Sequence, residues 1–513
     1  MFSANRLPTQ LVFSPKNGPV PNRERLHSSC IRRQFGDNVQ SMCQTLFLIP
    51  AEVAGHPVFG FGLLLALWAI VSVGTLAWLV WRQGFNADTL GYVPVLALIG
   101  AIIAWLLPAI GERTPAGVLL GLPIRGYGVM MLLAVVSGTL LAAWRAKRVG
   151  LDPDLIFTLI FWMLVPGIIG ARAFYVIEYW HVYWQQDYLG PDGGLATLLG
   201  SIVNVSKGGL VVYGSFFGGV VGILLFLRKH PLPLLAVVDL IAPSMLLGLA
   251  IGRIGCLMNG CCFGAVCDHS WALEFPAGAR PPFTSPHNGK LDASELAKER
   301  QAVLGFSPPY LAQLERGQFY GFTLSANRET KPCVVLAVAA KMPAAAAGLK
   351  VGDRLEGING LEIATVGDAC LAIEEAFLDG RPLEIQAKDR PAATIAAVSP
   401  PNRSLPVQPS QPLSTIDALL LCLLLLAYDP FRRRDGELFA LMLSIYPITR
   451  FLIEGLRSDE AAVLGTGMSI SQCVSLLLLV CAAALWLYIL RRPRGTAFKR
   501  VASGQGAVPR TPV

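Results

Sequence analysis

Long apolar runs separated by short polar ones dominate this chain. Stretches of roughly 20 residues, enough to cross a hydrocarbon layer, fall near 59–81, 91–110, 125–144, 155–178, 209–227, 235–257, 413–428, 437–455 and 469–490. The pattern predicts nine membrane helices, the seventh short and the eighth interrupted by Pro447. Two of these, within 42–118, precede a seven-helix block made of 119–264 and 413–491. A mostly polar insert divides that block. Its first part, 265–317, is proline-rich and reads as loop, with WALEFP at 271–276. Its second part, 318–390, alternates strand-like runs (CVVLAVA, LEIQA) with one helical stretch, DACLAIEEAFLDG, and predicts a compact α/β module. Residues 391–412 are rich in Pro and Ser and read as a linker back to the membrane. Residues 1–41 are polar and read as a disordered arm or an over-extended reading frame, and 492–513 as a basic tail.

Composition agrees with that pattern: 53% of residues are hydrophobic and 15% charged. The fold class expected is an all-α polytopic membrane protein with an α/β insert. The net charge of +8 sits largely in four basic patches: Arg145/Lys147/Arg148, Arg228/Lys229, Arg432–Arg434, and Arg491 to Arg500. They fall at alternate helix ends, as the positive-inside rule requires, which places them in the cytoplasm. Segments 179–208 and 256–412 then face the other side, a periplasm-like space. Nucleic-acid binding is not needed to explain the charge.

Against this apolar background, a few polar residues stand out. Arg253 lies near one end of the run 235–257, where a charge is expensive and usually kept for a purpose. Ser244, Gly248, Gly252, Cys256 and Gly260 recur every four residues beside it, a stripe that lets another helix approach closely. A cation beside such a face suggests a pocket for an anionic lipid headgroup; the bland alternative is an arginine that snorkels to the interface. Arg450, Glu454 and Arg457 share one helical face and could equally form a structural ion pair. Arg172, followed by Glu178, is expected to serve packing or lipid positioning. Tyr127 and Tyr213 look interfacial, but Gly126, Gly128 and Gly214 beside them would let a ligand come near the backbone. Cys256, Cys261, Cys262 and Cys267 have a C-x4-C-C-x4-C spacing without the C-x2-C knuckles of a zinc site. Packed thiols or one disulfide, and no metal, are expected there.

The stretch AAAAGLKVGDRLEGINGLEI (344–363) resembles the A-x-x-A-G-L-x-x-G-D-x-I-x-x-I-N-G pattern of bacterial PDZ domains. The resemblance implies that Gly321, Phe322, Thr323 and Leu324 form the loop whose amides receive a protein C-terminus, the peptide adding as a strand. The alternative is a degenerate domain that only braces its surroundings.

Six motifs, in one order, resemble the prolipoprotein diacylglyceryl transferase family: IRGYGVMM (124–131), PGIIGARAFYVIEYW (166–180), GGLVVYGSFFGGVVG (208–222), APSMLLGLAIGRIGCLMNGCCFG (242–264), WALEFP, and YPITRFLIEGLRSDE (446–460). This resemblance implies an inner-membrane enzyme that moves diacylglycerol from phosphatidylglycerol to the lipobox cysteine of a prolipoprotein signal peptide, without metal or organic cofactor. It further implies that Arg253, Asn259, Gly252, Gly260, Glu454 and Arg457 receive the headgroup. Arg253, Arg450, Tyr213 and Tyr127 would carry the chemistry. The arginines supply permanent charge for the phosphate, Glu454 and Arg457 hold Arg450, and Asn259 orients a glycerol hydroxyl. Tyr213 donates to the phosphate or takes the thiol proton. Four departures stand against the family pattern: Tyr213 replaces the usual third-helix histidine, Cys256 an asparagine and Cys261 a glutamate, and the loop before the seventh span, usually H-P-T-Q-L-Y-E, is QPSQPLS (408–414). A site-2 protease fails for want of H-E-x-x-H. A non-catalytic paralogue that binds lipids or lipoproteins is the remaining alternative.

Overall fold

The computed structural model describes residues 45–113, 119–190, 193–204, 209–277, 307–328, 330–457 and 468–498. The arm 1–41 and the tail beyond Phe498 lie outside these residues. Helices occupy all nine predicted runs: α1 (Leu63–Gln83), α2 (Ala87–Ala101, continued to Ile110), α3 (Gly126–Arg148), α4 (Pro153–Glu178), α6 (Val212–Lys229), α7 (Leu234–Asn259), then α10 (Ser410–Tyr428), α11 (Glu437–Glu454) and α12 (Ile470–Leu490); a short α5 (Leu195–Val203), outside those runs, lies between α4 and α6. Among the described residues, seven of these helices are long and apolar enough to cross a membrane. The chain is a multi-pass membrane protein. α6 and α11, 18 residues each, complete the bundle. α11 carries Glu437, Arg450 and Glu454, and those charges become the interesting part of it.

Helix pairing follows the small residues. A Cβ added at Gly214, Gly218 or Gly222 of α6 would lie 2.2, 2.0 and 2.0 Å from the carbonyl oxygens of Gly170, Pro166 and Trp162 on α4. These three positions, four apart, press the two backbones together. The stripe on α7 turns toward α3 in the same way: a Cβ at Gly138 would meet the Ser244 carbonyl at 3.1 Å, and one at Gly255 would meet Met130 at the same distance. The opposite faces carry exposed apolar side chains, such as Phe216 and Phe217 on α6 and Leu420 and Leu423 on α10. In water these would be a liability; against lipid tails they are not. The predicted run 209–227 differs at its start, where residues 209–211 are extended and helix begins at Val212.

At the basic end, Asp239 of α7 is completely buried and accepts from the amides of Gly436 and Phe439 at 2.7 and 2.9 Å. It thereby caps α11, whose first amides have no helical partner. Arg432 pairs with the same carboxylate at 3.4 Å, and Arg145 bonds the Asp239 and Leu240 carbonyls and Asp429. A strand pair, β1 (Thr45–Pro50) against β3 (Leu119–Arg125), with β2 (Glu112–Arg113) on its far edge, leads into α3.

The insert holds two small sheets. β4 (Phe322–Thr323) pairs with β5 (Ala337–Val338). β6 (Leu355–Ile358), β7 (Leu361–Glu362), β8 (Leu383–Ala387) and β9 (Ala393–Ile395) form a sheet ordered β9-β8-β6-β7. α9 (Val366–Asp379) covers them, opened by a Thr365/Asp368 capping box. LEIQA and the helical stretch are as expected. CVVLAVA is strand only at Ala337–Val338, with a single bridge from Val334 to Arg354.

The expectation of loop across 265–317 needs correction. Residues Pro308–Glu315 form a helix, α8, because a proline at the first helical position costs nothing and fixes φ. Its Tyr310, Leu311 and Leu314 enter the same core as Phe319, Tyr320, Ile358, Ile373 and Phe377.

Candidate active site

The site is built on the way α7 ends. Asn259 is the last helical residue and Gly260 takes the left-handed conformation, φ 76°. The Gly260 amide bonds the Leu257 carbonyl, and the Cys261 amide bonds that of Cys256. This is the Schellman arrangement, in which the side chains three before and one after the turn meet. Here those residues are Cys256 and Cys261. Cys262 also has positive φ, 58°, and its side chain folds back to join them. The three sulfurs lie within 4.8 Å of one another. All three thiols are free, as are the other cysteines among the described residues; packed thiols, rather than a disulfide, describe the cluster. The turn is clamped from α10, where Ser410 Oγ donates to the Cys262 carbonyl at 2.5 Å and Gln411 Nε2 to that of Cys261 at 2.8 Å. Hydrogen bonds from the Cys256 and Cys261 thiols, helped by Arg457 and Arg253, hold the Cys262 thiol well below its ordinary range. Hydrogen bonding with Cys256 and Cys262 pushes Cys261 up.

Beyond the turn, the chain runs as a narrow ribbon. The Gly264 amide bonds the Gln408 carbonyl and the Ala265 amide that of Leu456, while Leu273 and Val407 exchange a bond pair. This ribbon ties the end of α11 to the end of α7, and so brings Arg457 to Arg253.

Arg253 interacts electrostatically with Tyr446, Cys262, Cys256 and Arg457. Tyr127, at the start of α3, interacts with the three cysteines and Arg253. Arg457 Nη1 and Arg450 Nη2 share Oε2 of the buried Glu454, at 3.1 and 2.7 Å. Ser469 Oγ donates to the other carboxylate oxygen at 3.3 Å. Arg450 Nη2 also donates to Ser471 at 3.1 Å, while its buried Nη1 makes no hydrogen bond among the described residues. Two guanidiniums therefore share one carboxylate and a third, Arg253, lies beside Arg457, so the cluster carries excess positive charge. Such a place favours an anion with oxygen acceptors.

The other residues expected in the site are placed as follows. Glu454 does hold Arg450, and it holds Arg457 as well. Arg457, expected both to receive the headgroup and to support Arg450, also interacts with Arg253. Gly252 lies over Met131, and a Cβ at Gly260 would press on Pro309 and Pro308 of α8 at 3.2 and 3.3 Å. Asn259 is half-buried on the last turn of α7. Tyr213 opens α6 on the α4 side, its neighbour Gly214 packed on Gly170. Arg172 takes a structural part: its guanidinium donates to the carbonyls of Ile202, Ser201 and Asn204 at 2.8, 2.6 and 2.9 Å, closing the C-terminus of α5, and to that of Gly209 at 3.0 Å.

Sequence reasoning passed over Tyr446, Gln411, Ser410, Ser469 and Ser471. Tyr446 stands four residues before Arg450, in a motif already quoted, and that spacing was the available signal. Nothing in the sequence marks Ser471.

In the insert, Phe322 and Leu324 are buried. Their amides donate to the Gly317 and Arg316 carbonyls at 3.3 and 3.1 Å, and the Gly321 amide to that of Gln318 at 3.1 Å. The free edge of β4 is thus covered by the chain's own segment after α8. That segment is anchored to the ribbon, where Gln313 exchanges two hydrogen bonds with the Leu405 backbone, at 3.1 and 2.7 Å. Thr323 sits half-buried opposite Ala337.

A family model described as prolipoprotein diacylglyceryl transferase matches residues 115–341 and 349–488, and one described as PDZ domain matches 311–375. A phosphatidylglycerol--prolipoprotein diacylglyceryl transferase of Rhodopirellula baltica is 32% identical over 482 residues, 88% of this chain and 89% of that protein. The same-named protein of Trichormus variabilis is 35% identical over 159 residues, 31% of this chain and 52% of its own length. One from Clostridium perfringens is 33% identical over 174 residues, 34% of this chain and 63% of that relative.

Proposed function

Because the chain belongs to the prolipoprotein diacylglyceryl transferase family, we propose that its arginine cluster receives the phosphatidylglycerol headgroup for transfer of the diacylglyceryl group to a prolipoprotein cysteine. The products are a thioether-linked lipoprotein precursor and glycerol 1-phosphate. The observation that carries this reading is the pairing of Arg450 and Arg457 on the single carboxylate of Glu454, with Arg253 close enough to Arg457 to interact with it.

The chemistry follows from the charges. Phosphatidylglycerol is a phosphodiester with one negative charge, and the leaving glycerol phosphate gains a second as the carbon–oxygen bond breaks. Donors aimed at that developing charge lower the barrier, by about 3–4 kcal/mol for one well-placed donor. Arg253 and Arg457 stand where they can grip the phosphate, and the unpaired Nη1 of Arg450 is a further donor. Glu454 fixes two of the three guanidiniums, so little reorganisation accompanies the reaction. Tyr127 offers a hydroxyl beside Arg253, and Asn259 an amide for the glycerol hydroxyl. Tyr213, away on the α4/α6 pair, fits a contact to the lipid or the incoming peptide.

The basic patches at the other helix ends support an orientation with the site on the periplasmic face of a bacterial inner membrane. The PDZ-like module then faces the same space as the prolipoproteins. Strand addition of a protein C-terminus at Gly321–Leu324 requires the Arg316–Gly317 segment to move aside.

The test is substitution at the cluster, with headgroup binding and transfer read separately. In phosphatidylglycerol bilayers, Arg253→Ala and Arg457→Ala are each expected to lower transfer to a lipobox peptide by roughly 10²–10³-fold. Lysine should restore little, because the bidentate fork is lost. Wild-type transfer in both alanine variants would remove the cluster from the reaction.

A further inference from the structure

Three thiols converge in this site, in a protein whose family reaction alkylates a thiol. We propose that Cys256, Cys261 and Cys262 form a three-sulfur site for a thiophilic divalent metal, Zn(II), whose open fourth position takes the prolipoprotein cysteine as a thiolate. The proposal rests on the transferase reading above and supplies the thiol activation that reading lacks.

Geometry is the first ground. Sulfurs bound tetrahedrally to zinc at about 2.3 Å lie ~3.8 Å apart. The three here are already within 4.8 Å of one another, so a small side-chain contraction closes the site. Two of them are brought together by the helix-ending turn, and the third by a left-handed residue that is not glycine. That conformation is disfavoured for cysteine and persists only where the surroundings enforce it. Ser410 and Gln411, both 1% exposed, enforce it by holding the carbonyls of Cys262 and Cys261. A pair of thiols would suffice for a disulfide. Three on a clamped turn is a ligand set.

Charge is the second ground. Three thiolates around a divalent cation leave one net negative charge, and Arg253 and Arg457 stand beside the cluster to offset it. The ligand count matches catalytic zinc sites, which keep three protein ligands and one open position.

The third ground is the reaction. A free thiol with a pKa of about 8.5 is only a few per cent thiolate at neutral pH. A coordinated thiol is deprotonated outright. On binding, the substrate S–H gives its proton to water and its sulfur to the metal. The sulfur lone pair then attacks the diacylglycerol carbon that bears the phosphate ester. That carbon–oxygen bond breaks, its electrons leave with glycerol 1-phosphate held by the arginines, and the thioether, a weak ligand, departs. Electrons and charge balance with no oxidant or reductant. No side-chain base is needed, which accounts for a tyrosine at the family's histidine position.

The test uses full-length protein in detergent micelles, with metal content, spectrum and transfer measured on the same samples. Purified protein should carry equimolar Zn(II), and Co(II) exchanged for it should show thiolate-to-cobalt charge transfer. Adding a lipobox peptide should change that spectrum, and the same peptide with serine for cysteine should not. Cys256→Ser, Cys261→Ser and Cys262→Ser should each lose the metal and lower transfer by roughly 10²–10⁴-fold. A chelator on wild-type protein should do the same reversibly, independent of any folding defect. Transfer at the wild-type rate from metal-free protein, thiols titrating as a disulfide, or a metal spectrum blind to the cysteine peptide would each overturn the proposal. The first of these leaves the transferase reading standing. Absence of any thioether product from metal-loaded wild type would instead sink that reading itself.

Discussion

Glu454→Gln is the sharpest single perturbation of the arginine cluster. The carboxylate is 2% exposed, and one of its oxygens receives Arg450 at 2.7 Å and Arg457 at 3.1 Å. Each is a charge-assisted bond of about 1.5–3 kcal/mol. Glutamine has nearly the same shape but one acceptor oxygen, and its amide hydrogens would face a guanidinium or Ser469. One arginine keeps a neutral acceptor, and the other is left as an uncompensated buried cation. Breaking a buried pair in this way costs about 3–5 kcal/mol, which the protein relieves by swinging an arginine out of place. The expected outcome is transfer reduced by about 10²–10³-fold and a lowered melting temperature, in a protein that still inserts. Glu454→Asp, which keeps the charge on a shorter arm, should recover part of both. The assay pairs initial rates across phosphatidylglycerol concentrations with thermal unfolding. A Gln variant with unchanged kcat and KM would refute the claim that Glu454 positions the two arginines for the reaction.

Three further outcomes follow from the same structure. Gly218→Ala should destabilise the bundle measurably in a detergent melt, since its Cβ would sit 2.0 Å from a backbone oxygen, while Gly219→Ala, with nothing within 4 Å, should not. Burial pushes Cys333 and Cys370 of the insert up to about 11 and about 12. Below an ordinary thiol pKa of about 8.5 neither state ionises; above it the unfolded module releases protons and the folded one does not, so stability to urea should fall as pH rises past that value. A module equally stable on both sides would contradict the burial. Finally, the Phe322 and Leu324 amides should exchange slowly with deuterium because Gly317 and Arg316 accept from them; rapid exchange at both would show the β4 edge to be open.

Much of this was legible in the residues, and the parts that were not have a common cause. Apolar run length predicts the nine helices because lipid tolerates little else. The stripe Ser244, Gly248, Gly252, Cys256 and Gly260 foretells a close helix face by spacing alone, and α3 packs on it at Ser244, Gly248 and Gly252. Local signals also mark the α/β module, though Pro308-Pro309 reads as loop and opens a helix instead. What stayed hidden depends on contacts between segments distant in sequence. Arg457 meets Arg253 only because the 264–265 strand lies between Gln408 and Leu456. Arg172 reads as packing or lipid positioning, and only the carbonyls of α5 around it decide for packing. The β4 edge looks available until residues 316–317 are seen to cover it.

The central claim, that this cluster serves diacylglyceryl transfer to a thiol, is tested most directly by mass spectrometry. The sample is a lipobox peptide incubated with purified protein in phosphatidylglycerol bilayers. The expected product is a peptide heavier by one diacylglyceryl group, linked as a thioether to its cysteine, with glycerol 1-phosphate released in equal amount. Phosphatidylglycerol cleaved with no lipid on the peptide, or peptide and lipid both unchanged, would contradict it.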